Sequence, residues 1–391
     1  MKKQMIFAAV AALTLASCAK IDTNITNREL DEPAPIGFST YTPRALTKAN
    51  TDYYVDGTSV TNLVSGKTFG VYGWAVTQTA VDPWTAPVVF TGSGAPGFMD
   101  NVPVTFMGGA TGSDGSVNVS ATGLYSTGNA VRYWPSGDKP DGLSFYAYYP
   151  AGGTGISMPT NGLGATTFTA QTAAADQVDF MVAPVVADQW YGHTNAGSSY
   201  KGTVNFTFKH VLTKVRFYFK TDNTDANTTV TLTNAQLKDV YKTNTLTTSY
   251  TNTGSTPTAN GGTFSYDWGT ADTAADFNIT ISGATPSTTN RVLSTSETAC
   301  TAADTFLMVP QTIADNSQKL TVTWTVTTAG VTTTNTKTID LYDILDSSEN
   351  HITWGKNNQI AYTIVIGPKP IYFTAAVDSW TAETTGSISV Q

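Results

Sequence analysis

Apolar residues recur at every second position in two long runs of the sequence. The run KLTVTWTVTT (319–328) alternates apolar residues with threonine, and QIAYTIVIG (359–367) repeats the pattern. An alternation with a period of two is typical of strands with one face in a core and the other in water. The second half of the chain is therefore predicted to form an antiparallel β-sandwich.

Shorter apolar runs fill the first half. KTFGVYGWAV (67–76) and GLSFYAYYP (142–150) stand between clusters of Gly, Pro, Asn and Asp, which is the punctuation of strands and turns. TVNFTFKHVLTKVRFYF (203–219) changes phase near His210, which predicts two strands or one strand with a bulge. One short helix is predicted around residues 338–348.

The segment PIGFSTYTPRALTKAN begins as a strand and then reaches a proline, an arginine and an alanine. Ile36, Phe38 and Thr40 share one face of that strand, and Arg44 and Ala45 follow it. A cut after Arg44 would let the strand leave and expose a hydrophobic groove with unpaired backbone groups. The alternative left open by the sequence is that Arg44 ends a strand in an uncut protein.

The length and composition predict two all-β domains. Single cores rarely grow beyond about 250 to 300 residues, and the chain has 391. Only 13% of the residues are charged, whereas Thr, Ser, Asn and Gly are abundant, which favours strands and turns. A stretch without apolar pattern between residues 185 and 202 reads as a linker, so we expect domains over 35–195 and 196–391.

The charge and the motifs argue against several functions. The chain has 21 basic and 29 acidic residues, and a net charge of -8 disfavours nucleic acid as a partner. H-E-x-x-H, C-x-x-C, G-x-S-x-G and a phosphate-binding glycine loop are absent. Asp114, Asp138 and Asp141 lack the spacing of a calcium loop and are interpreted as turn residues. We therefore expect no enzyme activity, no cofactor and no metal site.

The N-terminal residues read as an export signal. Lys2 and Lys3 precede a short apolar stretch, and Leu15-Ala16-Ser17 stand before Cys18, in the manner of a bacterial lipobox. Residues 1–17 are predicted to be a lipoprotein signal peptide, Cys18 to carry the lipid, and residues 18–34 to be a flexible tether. The alternative is a plain signal peptide with a chance cysteine.

Five further residues have side chains suited to chemistry. Cys300 is interpreted as a small apolar residue, since a catalytic thiol would need a histidine beside it. His210 is interpreted as a structural histidine. Trp84, Trp134 and Trp190 could stack on a sugar ring, although tryptophans in sandwiches usually belong to the core, and the core interpretation is favoured.

Several segments follow one another in a recognisable order. After the lipobox and the strand that ends in Arg-Ala come FGVYGW, LSFYAYYP, DFMVAP, FTFKHVLTKVRF, FLMVPQTI and VDSW. Together they resemble the fimbrillin family, the lipoprotein pilins and pilus-like adhesins of Bacteroidetes bacteria. The resemblance implies two tandem transthyretin-like antiparallel β-sandwich domains and lipid-dependent export to the outer membrane. It also implies removal of the first strand by an arginine-specific protease and polymerisation by strand exchange.

The predicted function is a structural or adhesive subunit of a surface fimbria, anchored in the outer membrane by lipid. Expected partners are other fimbrial subunits and a ligand on a host or bacterial surface. The C-terminal stretch TAETTGSISVQ is the candidate donor strand, since Ile388 and Val390 have the two-residue spacing that a groove requires. The alternatives are a non-polymerising carbohydrate-binding surface lipoprotein and a secreted hydrolase with paired carboxylates.

Overall fold

The structure is a computed structural model in which part of the chain is described. The described residues are 36–43, 53–55, 60–63, 67–77, 88–105, 132–135, 142–189, 194–195, 198–199, 203–254, 261–280, 291–299, 305–346, 348–368 and 372–379.

Almost all regular structure among these residues is β. Two short 3-10 helices cover Ala174–Asp176 and Leu341–Asp343. The strands are β1 (Gly37–Pro43), β2 (Tyr53–Val55), β3 (Val60–Leu63), β4 (Thr68–Val76), β5 (Met99–Thr105), β6 (Gly142–Tyr149), β7 (Ile156–Ser157), β8 (Gly164–Thr169), β9 (Met181–Gln189), β10 (Thr194–Asn195), β11 (Ser198–Ser199), β12 (Thr203–Thr207), β13 (Lys209–His210), β14 (Thr213–Lys220), β15 (Thr228–Thr251), β16 (Thr263–Trp268), β17 (Asp272–Asn278), β18 (Arg291–Val292), β19 (Thr298–Ala299), β20 (Phe306–Met308), β21 (Gln311–Thr312), β22 (Lys319–Thr328), β23 (Val331–Asp340), β24 (Thr353–Trp354), β25 (Asn358–Val365) and β26 (Tyr372–Ser379).

The predicted all-β class is confirmed, and so are the strands predicted from alternation. The run KLTVTWTVTT is β22, and QIAYTIVIG contains β25. The phase change near His210 corresponds to three separate strands, β12, β13 and β14, with breaks between them. These breaks move the apolar face from one core to another, because β12 and β14 belong to different sheets.

The helix predicted around residues 338–348 is wrong except for one turn. Strand β23 continues through Asp340, and the 3-10 helix covers Leu341–Asp343. Ile339 is buried and pairs with Leu320 of β22, so the hairpin ladder extends into the predicted helix. Asp340 then caps the short turn by accepting a hydrogen bond from the backbone N–H of Tyr342.

The linker interpretation is wrong for residues 185–189, which are the second half of β9. This part of β9 pairs with β6, with Gln189 opposite Leu143. The strand could not be recognised from the sequence because Asp188 and Gln189 are polar, although both are buried in the structure. Buried polar groups that find hydrogen-bond partners leave no apolar alternation to detect.

A first core lies between two sheets. One sheet has the order β13-β9-β6-β4-β5, and the other has the order β12-β1-β3-β2. Their buried side chains form one cluster, in which β1 and β12 of the second sheet meet β4, β5, β6 and β9 of the first. The cluster is rich in phenylalanine, and we call it the first core. Its main members are Ile36, Phe38, Phe69, Val71, Val104, Phe145, Met181, Val204, Phe206 and Phe208.

A second core lies between two further sheets. The first of these has the order β19-β14-β25-β26, with β20 also paired to β14. The other has the order β23-β22-β15-β8-β7, with β16, β17 and β18 also paired to β15. Alternate residues of β14 and β25 pack against alternate residues of β15 and β22. At its centre the Nε1 of Trp354 donates a hydrogen bond of 2.9 Å to the hydroxyl of Tyr362.

A third cluster joins one sheet of the first core to one sheet of the second core. The outer face of β4 and β6, which carries Tyr72, Tyr146 and Tyr148, packs against the second half of β15 and against β16. Strand β15 has 24 residues. Its first half packs in the second core, and its second half packs in the third cluster. Strand pairing also crosses residue 195, because β12 pairs with β1 and β8 pairs with β15.

Asp188 lies buried at the edge of this third cluster. Its carboxylate accepts a 2.8 Å hydrogen bond from the backbone N–H of Phe90 and a 3.4 Å bond from Nδ2 of Asn252. Its own backbone N–H donates to the hydroxyl of Ser144 at 2.9 Å. Burial raises the pKa of Asp188 to about 6, and the bonds from Phe90 and Asn252 offset part of that rise.

Replacing Asp188 with asparagine should remove a pH dependence of stability. A carboxyl whose pKa is higher in the folded than in the unfolded state stabilises the fold when protonated, so its contribution is present at pH 4 and is lost as the pH rises through 6. The contribution of Asp188 to the free energy of unfolding should therefore fall by about 1 to 3 kcal/mol between pH 4 and 7 in the parent chain. Asp188→Asn should flatten this slope in urea titrations. Asp315→Asn, at an exposed position, should leave it unchanged, and an equal slope in both variants would contradict the assignment.

Candidate strand-exchange site

Strand β1 lies between two other strands of its sheet. It pairs in parallel with β12, from Gly37 opposite Thr203 to Tyr41 opposite Thr207. Its last two residues pair antiparallel with β3, and Pro43 stands opposite Val60. Removal of β1 would therefore unpair backbone groups on both neighbours.

The first two apolar residues of this segment are completely enclosed. Ile36 is 0% exposed and Phe38 is 2% exposed. The backbone N–H of Ile36 donates a 2.9 Å hydrogen bond to the carbonyl of Arg132, which fixes the start of the strand. Both side chains belong to the first core, so the segment completes that core instead of covering its outside.

Three phenylalanine rings from three different strands surround Phe38. Its ring stacks on Phe206 of β12 at a centroid distance of 5.6 Å and an interplanar angle of 8°. Phe145 of β6 and Phe69 of β4 meet it edge-on, at 5.8 and 6.3 Å. Stacked and edge-to-face pairs of this kind contribute beyond the area they bury. Phe38 therefore fills a pocket shaped for a flat aromatic ring.

The chain leaves this pocket at Pro43, the last residue of β1. Proline has no backbone N–H, so it suits a strand end. Thr40, predicted on the same face as Phe38, pairs with Phe206 in the β1–β12 register. The other predicted site residues lie outside the described residues: Cys18, Arg44, Ala45, Ile388 and Val390.

Trp134 is a core residue and not a sugar platform. It is 3% exposed and meets Phe145 edge-on at 6.1 Å, within the first core. The favoured core interpretation is thus confirmed for this tryptophan. Trp84 and Trp190 lie outside the described residues.

His210 is a structural residue, as predicted. Its Nδ1 lies 3.0 Å from Oδ2 of Asp179, and both side chains are buried. The pair holds β13 beside the start of β9, to which β13 is hydrogen-bonded. Cys300 lies outside the described residues.

Two further features of the described residues concern metal binding and membrane crossing. Within the described ranges, no three His, Cys, Asp or Glu side chains are grouped so that they could hold a metal ion. Asp114, Asp138 and Asp141 fall outside those ranges. In the same part of the chain, no helix has the length and apolar character to cross a membrane.

Sequence reasoning found the strand but missed its pocket. Phe69, Phe145 and Phe206 line the site, and the carbonyl of Arg132 anchors it. The alternation in TVNFTF did indicate that Phe206 faces a core. Which strand it would face could not be read from the sequence, because β1 and β12 are far apart along the chain and pair in parallel.

Known proteins resemble this chain in sequence and in fold. A family model described as fimbrillin-like matches residues 47–380. The chain belongs to the fimbrillin-like family. Fimbrium subunit Fim1C of Phocaeicola vulgatus is 26% identical over 225 residues, which cover 55% of this chain and 50% of that protein. The match to this curated relative thus spans about half of the relative's own length.

A solved structure shares the fold of this fimbrillin-like chain. The crystal structure of a fimbrial protein from Bacteroides vulgatus aligns with a TM-score of 0.52 at 20% identity. The alignment covers 90% of this chain and 100% of the other. At this level of identity the likeness concerns the fold alone.

Proposed function

We propose that this fimbrillin-like chain is a subunit of a bacterial surface fimbria that assembles by β-strand exchange. In this proposal the precursor is exported as a lipoprotein acylated at Cys18 and is then cut between Arg44 and Ala45. Strand β1 leaves, and a strand of another subunit takes its place. Family membership and the name of the relative Fim1C support the fimbrial role.

One observation carries the proposal: a strand that completes a core is followed at once by a basic residue. Ile36 and Phe38 are buried in the first core, and Arg44 comes directly after the last residue of β1. Each buried side chain of this size contributes about 1.5 to 3 kcal/mol. A cut here leaves a hydrophobic groove with open strand edges, and such an edge binds an added strand.

The proposed location follows from the same sequence of events. The lipid on Cys18 would hold the precursor at the outer membrane, since a chain with two or more acyl groups is stably anchored. Cleavage after Arg44 would separate the folded sandwiches from the lipid. The partners are then other fimbrial subunits, and a ligand on a host or bacterial surface suits an adhesive role.

Assembly after cleavage tests the proposal. Purified full-length chain, intact or cut with an arginine-specific protease, would be concentrated and separated on a gel without boiling. The cut sample is expected to give a ladder of oligomers, and the intact sample a single band. A cut chain that loses residues 1–44 and stays monomeric would contradict strand exchange.

Replacing Cys18 with alanine should block lipid attachment and leave an unprocessed precursor. The reason is that the lipobox Leu15-Ala16-Ser17 directs acylation to the cysteine that follows it. Membrane fractionation and intact mass should show the variant missing from the outer membrane and lacking acyl chains. Cys300→Ala is the matched control and should fractionate as the parent does. Normal outer-membrane recovery of Cys18→Ala would contradict the lipobox interpretation.

A further inference from the structure

Strand β23 ends its sheet with one long open edge. The sheet order is β23-β22-β15-β8-β7, and among the described strands only β22 pairs with β23. With ten residues, β23 is the longest strand at the end of any described sheet. The strands at the other sheet ends range from the two residues of β7 to the eight residues of β26.

The edge of β23 lacks the features that usually keep a strand edge from pairing. Proline and bulges are common among such features. Strand β5, at the end of another sheet, has both: it contains Pro103, and its register with β4 shifts. Strand β23 contains no proline, and its register with β22 runs over ten residues without a shift. An uninterrupted edge of this kind is a template for an added strand.

The hairpin turn before β23 determines which backbone groups face the open edge. Ala329 and Gly330 form a two-residue turn, and both have positive φ, 50° and 80°. The pair that closes such a turn, here Thr328 and Val331, is hydrogen-bonded. Bonding alternates along an antiparallel ladder, so the backbone groups of the even-numbered residues of β23 face away from β22. These outward-facing residues are Thr332, Thr334, Thr336 and Thr338.

The sequence of β23 is complementary to itself in one antiparallel register. When this register is centred on Asn335, two copies place Thr332 opposite Thr338 and Thr334 opposite Thr336. All four outward-facing threonines then have partners, and each pair exchanges both of its backbone hydrogen bonds. Threonine already stands opposite threonine across β22 and β23, where three pairs of hydroxyl oxygens lie 2.8 to 3.1 Å apart.

The same register suits the side chains on the other face of β23. Val331 is 68% exposed, and it comes to lie opposite Ile339 of the second copy, so an exposed apolar side chain gains an apolar partner. Lys337 comes to lie opposite Thr333. A register centred on Lys337 would instead place two lysines directly opposite each other, which is destabilising. The side chains therefore favour the register centred on Asn335.

We propose that two copies of this chain associate side by side through β23, in an antiparallel pair whose twofold axis passes through Asn335. The two sheets then join into one continuous sheet, in which β23 is no longer an edge. This association uses no residue of β1 and does not depend on cleavage after Arg44. The pair buries little apolar surface, so we expect it to separate in the detergent of a denaturing gel and to be measurable in solution.

Blocking one backbone group of the open edge tests the pairing. The uncut chain, with Cys18 and Cys300 replaced by serine, would be studied by sedimentation velocity over a range of concentrations, and a monomer–dimer equilibrium is expected. Thr334→Pro removes an N–H that faces the open edge and leaves the bonds to β22 in place, so it should weaken dimerisation at least about tenfold. The matched control Thr334→Ala keeps that N–H and should change the dissociation constant less than about threefold.

A cysteine at the twofold axis tests the register. In the proposed pair the two copies of residue 335 stand opposite each other with their Cα atoms about 4.5 Å apart, a distance that a disulfide can span. In the same background, Asn335→Cys should therefore form a disulfide-linked dimer on mild oxidation with copper–phenanthroline. The matched control Thr333→Cys lies on the same face of the strand but opposite residue 337 of the second copy. It should stay monomeric on a non-reducing gel.

Each measurement can contradict the pairing. A parent chain that stays monomeric at all concentrations, as it would if another segment of the chain covered the edge, would overturn the proposal. So would dimerisation of Thr334→Pro equal to that of the parent, or equal cross-linking of Asn335→Cys and Thr333→Cys. If Thr334→Pro failed to fold, as judged by its urea midpoint, the cross-linking would decide alone. Strand exchange at β1 is tested separately, by the ladder that forms after cleavage.

Discussion

Replacing Phe38 with alanine is expected to lower the free energy of unfolding of the uncut chain by about 3 to 5 kcal/mol. The side chain is 2% exposed and contacts the rings of Phe69, Phe145 and Phe206. Alanine would leave a cavity among rings that belong to three different strands and cannot close together. Urea unfolding followed by tryptophan fluorescence measures the effect, since Trp134 lies in the same core.

The control for this effect is an aromatic residue close by that is not enclosed. Tyr133 is 46% exposed, and Tyr133→Ala should change the free energy of unfolding by less than about 0.5 kcal/mol. A loss below about 1 kcal/mol for Phe38→Ala would contradict the description of β1 as a strand that completes the first core. The variant should also release residues 1–44 faster after cleavage, because the departing strand loses its largest anchor.

Replacing Arg44 with alanine is expected to abolish processing of the precursor. Arg44 directly follows β1, so cleavage there separates the strand from the rest of the chain. N-terminal sequencing of material shed from the cell surface should begin at Ala45 in the parent and give no such end in Arg44→Ala. The expected effect is complete loss of the cut form.

Lys48 provides the matched control, as a second basic residue in the same stretch. Lys48→Ala should be processed as the parent is. A shed protein that still carries Ile36 and Phe38 would contradict cleavage after Arg44. The same holds if Lys48→Ala, and not Arg44→Ala, prevented cleavage.

The sequence predicted the strands of the cores well where one face is apolar and the other polar. Strands β22 and β25 followed from a period of two that persists over the whole strand. Strand β6 was predicted as a short apolar run between turn residues, and the structure buries all eight of its residues. The burial of Phe38 was predicted from the same kind of alternation in the first segment.

The long strand β15 was not predicted because its pattern is interrupted. Its pairing with β22 shifts between Leu232 and Asn234, and its pairing with β17 shifts between Leu237 and Val240. Asp239 lies in the second irregularity with a φ of 57°, a left-handed conformation that aspartate tolerates better than most residues. Each irregularity changes the face on which the next residues lie, so no single period runs along the strand.

The pocket around Phe38 depended on information that the sequence does not hold. Phe69, Phe145 and Phe206 come from three strands separated by long stretches of chain, and their meeting depends on sheet order. The polar end of β9 was misread for a related reason, since Asp188 is buried through bonds to Phe90 and Asn252 in distant segments. Local sequence patterns indicate which residues are buried. The pairing of distant strands determines which residues they pack against.

The departure of β1 is the central claim, and a reversible lock on that strand tests it most directly. Ser39 and Asn205 are register partners on β1 and β12, and cysteines at both positions would join the strands by a disulfide. In a chain with Cys18 and Cys300 replaced by serine, the locked protein would be cut after Arg44 and followed by gel before and after reduction. We predict monomers while the disulfide is intact and an oligomer ladder once it is reduced. A ladder that forms equally with the lock closed would contradict the account.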